Sequence, residues 1–151
     1  MDLQGKNVVI TGGSQGIGEH MARDFAAKGA SVLVVARSED KLQVVADKVS
    51  GQYLVADLGS AAGVDGLADA CAAKLGHIDV WVNNAGLEAN DAFADTDRAL
   101  LRAVNPPNPA APTMPPPAVP HHMLPRGTGH LVPTVPHGGV WPVPGATSAC
   151  G

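Results

Sequence analysis

Directly after the apolar stretch Asn7-Val8-Val9-Ile10 stands the run Thr11-Gly12-Gly13-Ser14-Gln15-Gly16-Ile17-Gly18. The order reads as a strand, a glycine turn and a helix start. A turn of this kind presents backbone N–H groups at a helix N-terminus, where the peptide dipoles favour an anion. Glycines suit it because a phosphate must approach the backbone with no Cβ in the way, and because such a turn needs φ values that other residues resist. The front of the chain is therefore read as built to hold a dinucleotide.

Residues 1–105 alternate between two periodicities. Strands are expected over 8–10, 31–35, 53–56 and 78–82, each a nearly unbroken apolar run. Helix one follows the turn, with Ile17, Met21 and Phe25 four apart and Ala22 and Ala26 beside them as one buried stripe. Lys28-Gly29 ends it. Ser38 is the expected cap of helix two and Ser60 of helix three, whose stripe is Val64, Leu67, Cys71 and Leu75. A fourth helix is expected from near Thr96, carrying Leu100, Leu101 and Val104. Apolar strands alternating with helices predict a parallel sheet covered on both faces.

The remainder differs in kind. All 13 prolines lie between Pro106 and Pro144. Eight of them, from Pro106 to Pro120, crowd fifteen positions. Each interior proline costs a helix roughly 3 kcal/mol, so no helix is expected there, only a polyproline-like or disordered segment. The domain organisation is thus read as a dinucleotide-binding half, 1–105, and a proline-rich remainder, 106–151.

Composition excludes several functions. A net charge of −4 with no basic cluster argues against nucleic acid. No apolar run is long enough to span a bilayer, and the N-terminus has no signal-peptide core, so a cytoplasmic setting is expected. Two cysteines, Cys71 and Cys150, make no disulfide framework. His121, His122, His130 and His137 lack a metal-ligand spacing, so no metal is expected. Pro112-Thr-Met-Pro115 and Pro117-Ala-Val-Pro120 match PxxP recognition segments, a pattern frequent in any proline-rich stretch.

Three motifs in order, each at the carboxyl end of an expected strand, resemble the short-chain dehydrogenase/reductase family. They are Thr11-Gly-X-X-X-Gly16-Ile17-Gly18, Asp57-Leu58 and Asn83-Asn84-Ala85-Gly86. The resemblance covers residues 3–105 well and implies a Rossmann-type doubly wound sheet, incomplete at its C-terminal side. It also implies that Gly12, Ser14, Gln15, Gly16, Ile17 and Gly18 line the pyrophosphate and adenosine ribose. Asp57 would meet the adenine edge, with Leu58 against the ring. Asn83 would brace the central strands, Ala85 and Gly86 would run under the nicotinamide ribose, and Asn84 would belong to the same cofactor site. NAD-users of this fold place an acid at the end of strand two. Here Ala36 and Arg37 stand there, with Ser38 beside them, so NADP is expected over NAD. Gln15 sits where many NADP-using members carry a second basic residue.

The resemblance extends as an outline into the second half, through Arg126-Gly-Thr-Gly-His-Leu-Val132 and Val143-Pro-Gly-Ala146. In that register the family's catalytic serine falls on Pro136, its tyrosine on Ala149, and its lysine on position 153, past Gly151. Its helix-four asparagine falls on Asn108, with Asn105 the lesser candidate. Proline and alanine offer no acid or base. The implied activity is hydride transfer between NADP(H) and a small carbonyl or alcohol, and this chain is expected not to turn over. The alternative is a non-catalytic NADP-binding module. Members of the family usually form homo-oligomers through helices that the prolines here interrupt.

Overall fold

A computed structural model describes residues 2–85, 115–116 and 118–134. Five strands and the helices between them alternate along the chain. They are β1 (Asn7–Thr11), α1 (Gly16–Ala27), β2 (Ser31–Ala36), α2 (Glu39–Val49), β3 (Gln52–Val55), α3 (Ala61–Val64), α4 (Leu67–Leu75), β4 (Val80–Asn83), α5 (Ala118–Met123) and β5 (His130–Pro133). A 3₁₀ turn, Leu124–Arg126, joins the last two. All pairings are parallel, in the order β3-β2-β1-β4-β5. This is the expected doubly wound sheet, whose winding reverses between β1 and β4.

The continuous apolar strands β1, β2 and β4 follow from burial on both faces. Val9, Leu33, Val35 and Trp81 point to one side, where they meet Leu67, Ala68 and Cys71 of α4 and Val119 and Met123 of α5. Val8, Ile10, Val32, Val34, Val80 and Val82 point to the other, against Ala22 of α1 and Leu42 and Val45 of α2. Neighbours in one strand thus serve opposite layers, as a period of two requires.

Several expectations need correction. Ile17 is 71% exposed, whereas Met21 and Phe25 pack on the core. Ile17 lies in the first turn of α1, beside the glycine turn. The third helix is two helices, because Gly66 adopts φ +68 between them. Ser60 does cap the first of these, its Oγ accepting the Gly63 N–H at 3.1 Å, but Ser38 makes no side-chain capping bond. The proline-rich segment is not wholly irregular. Helix α5 contains Pro120 at its third residue, where the missing N–H falls in the first turn and needs no helical partner. Strand β5 pairs with β4 through Val80↔His130 to Asn83↔Pro133. Its apolar residues Leu131 and Val132 stay 44% and 37% exposed. The fourth helix expected near Thr96 lies outside the described residues.

Candidate functional site

The site lies where the carboxyl ends of β1 and β4 diverge. Thr11, the last residue of β1, is buried and acts as a hub. Its hydroxyl accepts the N–H groups of Asn84 (3.0 Å) and Ala85 (3.1 Å) and donates to the Val82 carbonyl (3.3 Å). The Asn84 amide returns the tie, donating to the carbonyls of Thr11 (3.1 Å) and Gly12 (3.3 Å). The Gly12 N–H reaches across to the Val35 carbonyl at 2.8 Å. The turn is therefore anchored to β2 on one side and β4 on the other.

Two glycines give the turn its shape. Gly12 has φ +66, and a Cβ there would lie 2.9 Å from the Ala85 Cα. Gly16 has φ +58, yet a Cβ there would meet nothing within 4 Å. The first lets the chain pass close to β4; the second leaves open space at the start of α1. Gln15, the N-cap of α1, is extended and makes no side-chain capping bond. The first N–H groups of α1 thus take no side-chain cap from Gln15, a residue short of Gly16. These features suit a phosphate group against uncapped backbone N–H groups.

The structure gathers most of the expected residues around this turn. Ser14 is half-buried within it, Gln15, Gly16 and Ile17 are exposed at its rim, and Gly18 is buried beneath it. Ala85 and Asn84 are half-buried opposite. Arg37 and Ser38 are exposed just past β2. Asp57 follows β3, where one carboxylate oxygen accepts the Gly59 N–H at 3.1 Å. Leu58 packs against the core on the α4 side. Gly86, Asn108, Pro136 and Ala149 lie outside the described residues. The Asn84 side chain ties the end of β4 to the glycine turn. The Asn83 carbonyl accepts both the N–H (3.0 Å) and the hydroxyl (3.1 Å) of Thr134, just past β5.

Thr11 and Thr134 carry bonds that the sequence reading assigned to neither. A polar β-branched residue closing an apolar strand at a glycine turn is the signal that points to Thr11. At the opposite end of the sheet, the Asp79 carboxylate accepts the Asn7 N–H (2.9 Å) and Arg126 Nη2 (3.0 Å), with His77 at 3.1 Å. Burial alone would raise the Asp79 carboxyl; the Asn7 N–H, Arg126 and His77 outweigh it and hold it below its ordinary value. Burial pushes the Cys71 thiol up to about 12, so it is an inert core group. Among the described residues, no cluster of three or more His, Cys, Asp or Glu could hold a metal. No helix among them is long and apolar enough to cross a membrane.

A parallel sheet in this order, with a glycine turn at its switch point, defines a dinucleotide-binding doubly wound domain. The family model described as short chain dehydrogenase matches residues 6–148, and the chain belongs to this family of NAD(P)-dependent oxidoreductases. A fatty acyl-CoA reductase of Mycobacterium tuberculosis is 32% identical over 144 residues, covering 87% of this chain and 47% of that protein. The chain spans about half the length of that relative. A short-chain type dehydrogenase/reductase from Mycobacterium marinum superposes with a TM-score of 0.84 at 32% identity, covering 99% of this chain and 64% of the other. A metagenomic short-chain oxidoreductase, solved in complex with NADP, gives 0.80 at 26% identity, covering 98% and 70%.

Proposed function

We propose that this chain holds NADP(H) in the crevice between β1 and β4 and does not itself catalyse the family's reaction on a small carbonyl or alcohol. The observation that carries the nucleotide choice is the end of β2. Ala36 is followed by Arg37, which is exposed and has no carboxylate partner among the described residues. An acid there would bind free ribose hydroxyls and repel a 2′-phosphate; a guanidinium pairs with one. The relative solved with NADP supports the same choice.

The nucleotide contacts would come from Gly12, Ser14, Gln15, Gly16, Ile17 and Gly18 at the pyrophosphate side, Arg37 and Ser38 at the 2′-phosphate, and Asp57 and Leu58 near the adenine. Asn84, Ala85 and Gly86 would support the nicotinamide ribose. When bound, the nicotinamide supplies or accepts a hydride. Proton transfer at the substrate oxygen must then come from the protein, and the family register puts Pro136 and Ala149 where serine and tyrosine act. Neither carries an ionisable or hydroxyl group, and losing a positioned acid/base typically removes ~10²–10⁴ in rate. Asn108, the remaining family position, would have no relay to serve. In this reading residues 1–105 are the nucleotide-holding half and 106–151 an altered remainder.

The test is a thermal shift with NADPH beside NADPH oxidation in the presence of ketones and aldehydes. Ligand at a hundred times Kd should stabilise the protein by about 2.7 kcal/mol. Oxidation should not exceed a buffer control. No shift refutes the binding; turnover refutes the loss of activity.

A further inference from the structure

Strand β3 ends the described sheet on the side of β2. None of its four residues is buried, and Val55 is 47% exposed. The Ala56 N–H donates to the Ala36 carbonyl at 2.9 Å, which sets the phase of the strand. The backbone groups of Gln52 and Leu54 therefore turn toward β2, and those of Tyr53 and Val55 turn outward. Among the described residues no backbone bond engages the outward groups. A free edge of this kind is a template for another strand.

A groove of about 540 Å³ lies along this edge. One wall is a stripe of α2, in which Glu39, Gln43 and Asp47 stand four residues apart; across the edge stands Lys74 of α4. The two faces differ in charge. Tyr53 belongs to the layer of α2, where its hydroxyl donates to Glu39 at 3.2 Å. Desolvation, then Glu39 and Asp47, raise the phenol above its ordinary value, so both carboxylates bear on this face. Leu54 belongs to the layer of α4, and Gln52 on that side donates to the Lys74 carbonyl at 3.3 Å. Glu39, Asp47 and Lys74 make no ion pair among the described residues.

We propose that the β3 edge is a docking site for an extended peptide segment of a partner, in which Lys or Arg alternates with apolar residues. The peptide adds to the sheet as a strand, its main chain pairing with Tyr53 and Val55. Side chains alternate along a strand, so every second one faces Tyr53, Glu39 and Asp47, and the others face Leu54 and Lys74. Cations suit the first face, where two carboxylates and an aromatic ring attract them. Apolar groups suit the second, where Lys74 repels a cation. A second copy of the chain fits less well. Antiparallel pairing of two β3 edges about a two-fold axis sets α2 beside α2, and Glu39 and Asp47 against the same carboxylates. Other segments of the chain lack the charge. Residues 86–105 carry four acids against two arginines, and 106–114 and 135–151 hold no Lys or Arg.

Fluorescence anisotropy of the full chain with a labelled octapeptide of alternating lysine and valine tests this. That peptide should bind, and its glutamate–valine counterpart should not. Backbone N-methylation is then placed on the lysines in one peptide and on the valines in another. One of the two, and not the other, should abolish binding, because the donors of a single set face β3. Glu39→Gln combined with Asp47→Asn should weaken binding about fivefold, and less so at high salt. Val55→Pro removes an outward N–H and no bond to β2, so it should abolish binding with little change in Tm. If that variant unfolds, the methylated peptides still decide. Absence of binding, or equal binding of the lysine and glutamate peptides, overturns the proposal. Binding that survives both methylations overturns it too, as charge attraction without strand pairing. A dimer in sedimentation that Val55→Pro dissolves assigns the edge to a second copy and likewise overturns it.

Discussion

Replacing Thr11 with valine keeps the shape of the residue and removes the hydroxyl on which the crevice is built. Three hydrogen bonds pass through that oxygen: two accepted, from the N–H groups of Asn84 and Ala85, and one donated, to Val82. At a net ~1 kcal/mol each, their loss removes ~3 kcal/mol. The new buried methyl returns about 0.8 kcal/mol. The expected net destabilisation is therefore about 2 kcal/mol, or roughly 4–8 °C in Tm for a chain of this length. Thr11→Ser is the control. It keeps all three bonds and loses one buried methyl, about 0.8 kcal/mol. Urea denaturation of both variants measures the difference. NADPH titration adds a second readout, because the same bonds hold Asn84 and Ala85 against the glycine turn. Thr11→Val should weaken NADPH severalfold, and Thr11→Ser should not. A valine variant as stable as the serine variant, with unchanged NADPH affinity, refutes the hub.

The glycine turn separates fold from ligand. Gly16→Ala should fold with a loss of about 1–2 kcal/mol for its left-handed conformation, yet bind NADPH more weakly, because its methyl enters open space in the crevice; Gly12→Ala should lose more stability, as its Cβ meets the Ala85 backbone at 2.9 Å. Both follow from thermal melts with and without NADPH. Asp79 gives a pH dependence. Its folded carboxyl is held below the ordinary value, so its contribution is fully present above the unfolded pKa and is lost as pH falls through the folded one. Urea midpoints taken down the acidic range should therefore fall more steeply for the wild type than for Asp79→Asn.

The central strands β1, β2 and β4 were legible because burial on both faces leaves an unbroken apolar run, and the observed bounds of the four expected strands differ from the expected ones by two residues or fewer. The helices were less so. A four-residue spacing places Ile17 on the buried stripe, but spacing does not record which turn overhangs a crevice, and Ile17 is in the first. The stripe through Val64 and Leu67 runs across Gly66, whose φ of +68 breaks the helix there. Pro120 was read as a helix breaker from the density of prolines around it. Position decides instead, since proline is tolerated wherever no helical N–H is required. The turn of the site was readable from its glycines. Its anchoring was not, because Thr11 to Asn84 and Lys41 to Gln15 are contacts between distant segments that only the parallel pairing brings together.

The two ends of the central strands divide the work of the domain. At their carboxyl ends, Thr11 and Asn84 hold a turn suited to phosphate. At their amino ends, Asp79 gathers Asn7, His77 and Arg126, and Arg126 also donates to the Ile78 carbonyl at 3.3 Å. The second cluster is where the proline-rich segment is fastened. Val119 and Met123 reach the core shared by Trp81 and Cys71, and His122 pairs with Asp69 of α4 at 2.6 Å. Residues 118–134 thus keep the contacts that close the α4 face of the sheet, even though the segment carries prolines through its helix and its strand. Packing asks only for apolar volume and a few polar ties, which this segment supplies through Val119, Met123, His122 and Arg126. In the function proposed above, proton transfer would ask for a particular atom at a particular point, which Pro136 and Ala149 do not carry. On that reading, a fold of this family can outlast its chemistry.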